Sequence, residues 1–158
     1  MMPQPDSTET PVVTPAVTPA ISPTISPSSD RPFLALTGVV LDSDDPPALA
    51  DFYHRLLGFP YGTREPEWVT LRAPSGAGLS FQYEARWVPP VWPAGEGDPA
   101  MMVHLDVAVH DLEAAVAFAE RTGARLADFQ PQDDVRVMLD PAGHPFCLFL
   151  DVPGAEDA

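Results

Sequence analysis

Two stretches decide the fold of this chain: Val39-Val40-Leu41-Asp42-Ser43-Asp44-Asp45 and, 66 positions later, Leu105-Asp106-Val107-Ala108-Val109-His110-Asp111. Each one is an apolar strand pattern that runs into an acidic turn. After each turn, apolar residues recur at helical spacing until a glycine is reached. An aspartate at the start of each helical pattern suits a helix N-cap and the helix dipole. The chain therefore predicts two related units that each begin with a strand and a helix.

Short strand patterns complete each unit. Proline and glycine between the last two patterns of each unit indicate a tight turn joining antiparallel strands. The predicted strands are 67–71 and 79–83 in the first unit and 135–139 and 146–150 in the second, with a further strand near Pro60-Tyr61 and near 125–127. The order strand, helix and three strands predicts an α+β fold of two βαβββ modules. Module one spans about 33–86, a linker rich in proline spans 87–99, and module two spans about 100–152.

The N-terminal residues have a different composition. Ser-Pro or Thr-Pro pairs recur every four residues from Thr10 to Pro27, and proline removes a donor and disfavours helix in the residue before it. We expect residues 1–32 to be a disordered tail and residues 33–158 to be the folded domain. An alternative interpretation makes the tail a phosphorylatable regulatory segment attached to a non-catalytic interaction module.

Charge and cysteine content exclude several classes of function. The 158 residues carry a net charge of −15, with 8 Lys+Arg against 23 Asp+Glu. Such a chain repels nucleic acid phosphates and anionic membrane surfaces. A single cysteine excludes an internal disulfide framework and a cysteine-rich zinc site. We expect a cytoplasmic protein that binds neither nucleic acid nor membrane.

The ordered set of motifs resembles the glyoxalase/bleomycin-resistance/dioxygenase group, also called the vicinal-oxygen-chelate superfamily, and most closely its glyoxalase-like domain branch. The motifs that carry the resemblance are Leu41-Asp42, Asp45-Pro46, Ala50-Asp51-Phe52-Tyr53, Leu56-Leu57-Gly58-Phe59, Leu79-Ser80-Phe81-Gln82, His104-Leu105-Asp106 and Asp140-Pro141-Ala142-Gly143-His144-Pro145-Phe146-Cys147. The resemblance implies two βαβββ modules whose curled mixed sheets surround a shared cavity. It also implies a small-molecule ligand and a homodimer.

Metal-using members of that group take four ligands from the first and last strands of the two modules. The resemblance places these positions at Gly38, Ser80, His104 and Cys147. Only His104 is a ligand of the expected type, while Gly38 has no side chain and Ser80 is a poor ligand for a divalent cation. We therefore expect no metal or other cofactor, and a divalent metal, if present, would be held by His104 with Cys147.

Strand alternation predicts which side chains line the cavity. If Val103, Leu105, Val107 and Val109 pack against the helix, then His104, Asp106 and Ala108 face the cavity. The same rule places Leu79, Phe81 and Tyr83, and Phe146, Leu148 and Leu150, in the core. The predicted cavity lining is Val40, Ser80, Gln82, Ala108, Cys147 and Phe149, together with the linker residues Trp87 and Trp92.

His104 and Asp106 are the candidate catalytic pair, because a carboxylate beside an imidazole raises its pKa and suits a general base. A structural histidine within the sheet is the alternative interpretation. Trp87 and Trp92 are expected either to stack on a flat ligand or to pack the linker on the domain, whereas Trp68 is expected in the core.

Three functions follow for testing. The first is a metal-independent glyoxalase-like protein that binds a small organic molecule. The second is a metal-dependent lyase, isomerase or dioxygenase, in which His104 holds a divalent metal with help from Cys147, Asp106 or Gln82. The third is the interaction module with the regulatory tail.

Overall fold

A computed structural model of the chain describes residues 33–151, and the predicted tail at 1–32 lies outside the described residues. From Ala35 onward the described residues belong to one compact unit. The elements of module one are β1 Gly38–Ser43, α1 Pro46–Leu57, β2 Tyr61–Glu65, β3 Trp68–Leu71 and β4 Gly78–Tyr83. Those of module two are β5 Leu105–Val109, α2 Leu112–Thr122, β6 Arg125–Leu126, β7 Val135–Leu139 and β8 Pro145–Leu150.

The two modules repeat one topology, which confirms the predicted α+β fold of paired βαβββ units. The sheets have the strand orders β1-β4-β3-β2 and β5-β8-β7-β6. In each sheet the first strand pairs in parallel with the last, and the remaining pairs are antiparallel. Both sheets are therefore mixed, and the crossover from first to last strand in each module contains its helix.

Aspartates begin both helices, as the sequence predicts. The Asp45 carboxylate accepts a hydrogen bond from the Ala48 amide at 3.1 Å, and the Asp111 carboxylate accepts one from the Ala114 amide at 2.9 Å. Each bond satisfies an amide that has no partner within its own helix. Helix α1 ends at Gly58, whose φ of +71° lies in the left-handed region that glycine adopts without strain.

Helix α1 joins the two modules through one hydrophobic core. Phe52 and Tyr53 on α1 are fully buried. The Tyr53 ring stacks on Phe81 of its own sheet with a centroid distance of 5.6 Å, and it meets Phe146 of β8 edge-on at 6.3 Å. The Tyr53 hydroxyl donates to the Asp140 carboxylate, in the turn before β8, at 3.0 Å. Module one thus supplies core side chains to module two.

Four residues expected in the core are exposed or only half-buried. Tyr83 is 43% exposed and Leu150 is 37% exposed, because each is the last residue of its strand. Val103 is 63% exposed because it precedes β5, where strand alternation does not apply. Trp68 is only half-buried, since its register with Gln82 places it on the face turned away from α1. Those four expectations about burial were wrong, although the predicted strands themselves are present.

The linker packs against module two. Its Trp87 indole donates to the Ala142 carbonyl at 3.0 Å, and its Trp92 indole donates to the Phe129 carbonyl at 3.3 Å. The Val91 amide donates to the Pro99 carbonyl at 2.8 Å, which closes the linker into a loop. None of the helices within residues 33–151 has the length and apolar character needed to cross a membrane.

Candidate ligand-binding site

A cluster of three chemically active side chains lies on the face of the second sheet turned away from α2. Asp106 in β5 is the register partner of Cys147 in β8, so their side chains share one face. His104 lies just before β5, and its Nε2 is 3.2 Å from Oδ1 of Asp106. The ligand atoms of these three residues all lie within 4.8 Å of one another. The predicted pair of His104 and Asp106 is therefore formed in the structure.

The surroundings of Cys147 favour its thiol over its thiolate. Burial raises the pKa of the Cys147 thiol, and the negative charge of Asp106 and a hydrogen bond to that carboxylate raise it further. A thiol needs a cationic neighbour to become a strong nucleophile near neutral pH. Cys147 is thus suited to packing and to weak hydrogen bonding, and it is poorly suited to nucleophilic attack.

An apolar hollow of about 180 Å³ opens beside this cluster. We call it the sheet pocket. Its lining residues are Trp92, Met101, His104, Pro131, Gln132, Val135, Val137, Pro145 and Cys147. Apolar walls with a few polar groups at one side are typical of small-ligand sites. The sheet pocket brings together His104, Cys147 and Trp92 from the predicted lining.

The other predicted lining residues lie elsewhere. Val40 and Trp87 line a second hollow of about 270 Å³, which we call the linker pocket. Ser80 lines a third hollow, over the first sheet, of about 360 Å³. Gln82 belongs to the first sheet, in register with Asp42, while Ala108 and Phe149 are register partners further along the second sheet. The predicted set is therefore divided between the two sheets and their hollows.

Sequence reasoning missed the walls of the sheet pocket. Val137 and Val135 of β7 are the register partners of Cys147 and Phe149, so they share the face of the candidate cluster. Strand alternation carried across to β7 would have found both of them. Gln132 and Met101 come from irregular segments that carry no periodic signal.

The residues present do not fit the four-ligand metal site that the resemblance implies. Module one offers no ligand there, because Gly38 has no side chain and the nearest side-chain atom to its missing Cβ is the Ser80 hydroxyl, 3.7 Å away. Module two offers an imidazole, a carboxylate and a thiol, which are ligand types that zinc accepts in a three-ligand site. The cluster thus offers metal ligands from module two alone, and their types differ from those that the resemblance implies.

Comparison with known families now places the chain. The family model of the glyoxalase-like domain matches residues 38–149, from the first residue of β1 to the penultimate residue of β8. This chain belongs to the glyoxalase-like domain family. The match covers both modules and the linker, and it confirms the resemblance stated from the motifs. Among proteins with curated functions, none matches this glyoxalase-like sequence.

Solved structures share the glyoxalase-like fold. A glyoxalase/bleomycin resistance protein/dioxygenase family enzyme from Burkholderia phytofirmans PsJN aligns with a TM-score of 0.59 at 19% identity, covering 75% of this chain and all of that one. A glyoxalase-related enzyme from Fulvimarina pelagi aligns with a TM-score of 0.56 at 18% identity, covering 75% and 89%. A possible glyoxalase from Bacillus cereus aligns with a TM-score of 0.54 at 14% identity, covering 74% and 99%. At these identities the likeness establishes the fold and leaves the chemistry to this chain's own residues.

Proposed function

We propose that this glyoxalase-like protein binds a small, flat organic molecule in the sheet pocket and that it does so without a resident metal. The observation that carries the proposal is the single hollow in which Trp92 and the two β7 valines form apolar walls beside His104 and Cys147. An aromatic face and branched aliphatic side chains suit a planar apolar body. The imidazole offers one polar contact that orients the ligand.

His104 is the group that would accept a proton if the bound molecule reacts. Its Nε2 is held by Asp106 at 3.2 Å, which leaves Nδ1 for the ligand. Both side chains are partly exposed, at 39% and 62%, so solvent screens the interaction between them. The pair is therefore proposed as a binding and proton-accepting element of modest strength.

We also propose that the protein is a cytoplasmic homodimer. Apolar side chains next to the sheets and linker are open to solvent in the single chain, among them Phe129 at 48% and Val91 at 39%. Burial of such side chains against a second copy would stabilise a dimer. The free Cys147 thiol suits a reducing compartment. Sedimentation analysis of the full chain tests the dimer.

The binding proposal is tested with N-phenyl-1-naphthylamine, a neutral dye whose fluorescence rises in apolar surroundings. Chelator-treated protein should bind the dye saturably, and Trp92→Ala should weaken binding by about tenfold or more, as loss of a buried aromatic wall does. Trp68→Ala is the matched control, because Trp68 lies on the first sheet and belongs to the lining of neither the sheet pocket nor the linker pocket. Equal weakening by both substitutions, or none by either, contradicts the proposal.

The second candidate function is a metal-dependent lyase, isomerase or dioxygenase. The three donor atoms within 4.8 Å at His104, Asp106 and Cys147 favour it. This candidate requires near-stoichiometric metal in the purified protein and a rise in melting temperature on adding Zn²⁺, both lost in His104→Ala. The metal-dependent function is eliminated if the purified protein contains no metal and its melting temperature does not change on addition of Zn²⁺, Mn²⁺, Ni²⁺ or Fe²⁺.

A further inference from the structure

A buried carboxylate orients a second histidine, separate from the proposed site. The Asp140 side chain is fully buried and accepts four hydrogen bonds, of 2.9–3.0 Å, on its two oxygens. The donors are the Tyr53 hydroxyl, the amides of Ala142 and His144, and Nδ1 of the His144 ring. These four donors occupy the acceptor positions that a carboxylate offers. Nδ1 of His144 therefore carries the proton of that bond, and Nε2 is left with its lone pair.

His144 is held in place from its other side as well. The Trp87 ring lies against the imidazole with a centroid distance of 4.5 Å, and the Trp87 indole is itself bonded to Ala142. Only 11% of the His144 side chain is exposed. A neutral imidazole with a carboxylate behind it and one free nitrogen in front is the arrangement of a preorganised proton acceptor.

His144 is also one of the residues that line the linker pocket. That hollow, of about 270 Å³, is lined mainly by apolar side chains from β1, the linker and the segment before β5, including Val40, Val88 and Met101. Besides His144, one charged residue lines it, namely Asp42. Asp42 and the chain's net charge of −15 disfavour an anion that enters without a proton to give to His144. A ligand for this hollow is therefore neutral and apolar, with one polar hydrogen to donate.

We propose that the linker pocket is a second ligand site, which takes a neutral aromatic weak acid through its phenolic hydroxyl. The hydroxyl proton moves from the ligand oxygen to Nε2 of His144, so that the O–H bond breaks and an N–H bond forms. The products are a phenolate and an imidazolium whose Nδ1 stays hydrogen-bonded to Asp140. Asp140 and Tyr53 are positioning residues, because they act through His144. This site is independent of the sheet pocket and of the function proposed there.

The test uses 4-nitrophenol, whose phenolate absorbs visible light and whose neutral form does not. At a pH below the pKa of the probe in water, full-length protein should produce a saturable phenolate band. His144→Asn should weaken binding by about tenfold or more, the loss expected when a hydrogen bond to a charged group is removed. His110→Asn is the matched control, because His110 belongs to the lining of neither pocket, and it should leave the band unchanged. The permanent anion 4-nitrobenzoate should bind at least about tenfold more weakly than the phenol.

A second variant guards against loss of folding in His144→Asn. Val40→Trp fills the hollow from its β1 wall, where Val40 is 48% exposed, and leaves the bond between Asp140 and His144 untouched. This variant should also abolish the band. Absence of a saturable band with the unmodified protein overturns the proposal. A band that survives Val40→Trp or His144→Asn, or that disappears in His110→Asn, overturns it as well.

Discussion

Replacing Tyr53 by Phe tests the connection between the two modules. The Tyr53 hydroxyl donates to Asp140 at 3.0 Å, the tyrosine is fully buried, and Asp140 is only 5% exposed. Phenylalanine keeps the ring and its packing, so the change removes one hydrogen bond to a buried charged group and leaves no large cavity. Removal of such a bond costs about 1.5–3 kcal/mol, and we expect the free energy of unfolding to fall by about 2 kcal/mol.

Tyr61→Phe is the matched control in urea unfolding. The Tyr61 hydroxyl also donates to an aspartate, Asp51, at 3.1 Å, but that carboxylate is 44% exposed and water can replace the lost donor. We expect a change within about 0.5 kcal/mol for this variant. The dependence of the unfolding free energy on urea should keep the same slope in both, as in a two-state transition. A loss in Tyr53→Phe no larger than that in Tyr61→Phe would refute the reasoning.

The same residue makes a prediction about alkaline pH. Burial raises the pKa of Tyr53 well above the ordinary tyrosine value of 10.0, and the charge of Asp140 and its hydrogen bond raise it further. The unfolded chain loses this proton first, so unfolding releases a proton at high pH. The stabilisation from Tyr53 is fully present below pH 10.0 and is lost as the pH rises toward the raised folded value. Tyr53→Phe should therefore lose stability less steeply than the unmodified protein above that pH.

Two further substitutions test local features. Gly143→Ala should destabilise the protein more than Gly76→Ala. Both glycines have positive φ, but a Cβ at 143 would lie 2.7 Å from Cβ of Pro89, whereas a Cβ at 76 would meet nothing within 4 Å. We expect the free energy of unfolding to fall by about 1–2 kcal/mol at 76 and by at least about 1 kcal/mol more at 143, and equal losses in urea unfolding would contradict this. Asp106→Asn should speed alkylation of Cys147 by iodoacetamide below pH 9.0, because it removes a charge and a hydrogen bond that raise the thiol pKa; an unchanged or slower rate would show that Asp106 does not control the thiol.

Most of the fold could be predicted because its signals are local. Asp45 and Asp111 lie where N-caps are needed, and the proline-glycine turns give the antiparallel pairs. The extent to which each helix is buried could not be predicted in the same way. Helix α2 carries an apolar stripe like that of α1, yet Phe118 is 44% exposed. Phe52 from α1 packs against Phe146 of the second sheet. Because α1 covers part of that sheet, less of its apolar surface is left for α2 to bury.

The candidate site was predictable only within one sheet. Strand alternation and register place Asp106 and Cys147 together, and His104, which directly precedes β5, lies beside them. The grouping of Ser80 and Gln82 with that cluster relied on how the two sheets face each other, which no local pattern records. The role proposed for His144 escaped sequence reasoning because two residues that fix it are distant in the chain: Trp87 packs on its ring, and Tyr53 bonds to its partner Asp140.

The binding claim is tested most directly by the three tryptophan indole N–H signals in a ¹H–¹⁵N spectrum of the chelator-treated full chain. Addition of N-phenyl-1-naphthylamine should shift the Trp92 signal saturably and leave that of Trp68, on the first sheet, in place. A Trp92 signal that stays fixed, or that moves only after a divalent metal is supplied, would contradict metal-independent binding in the sheet pocket.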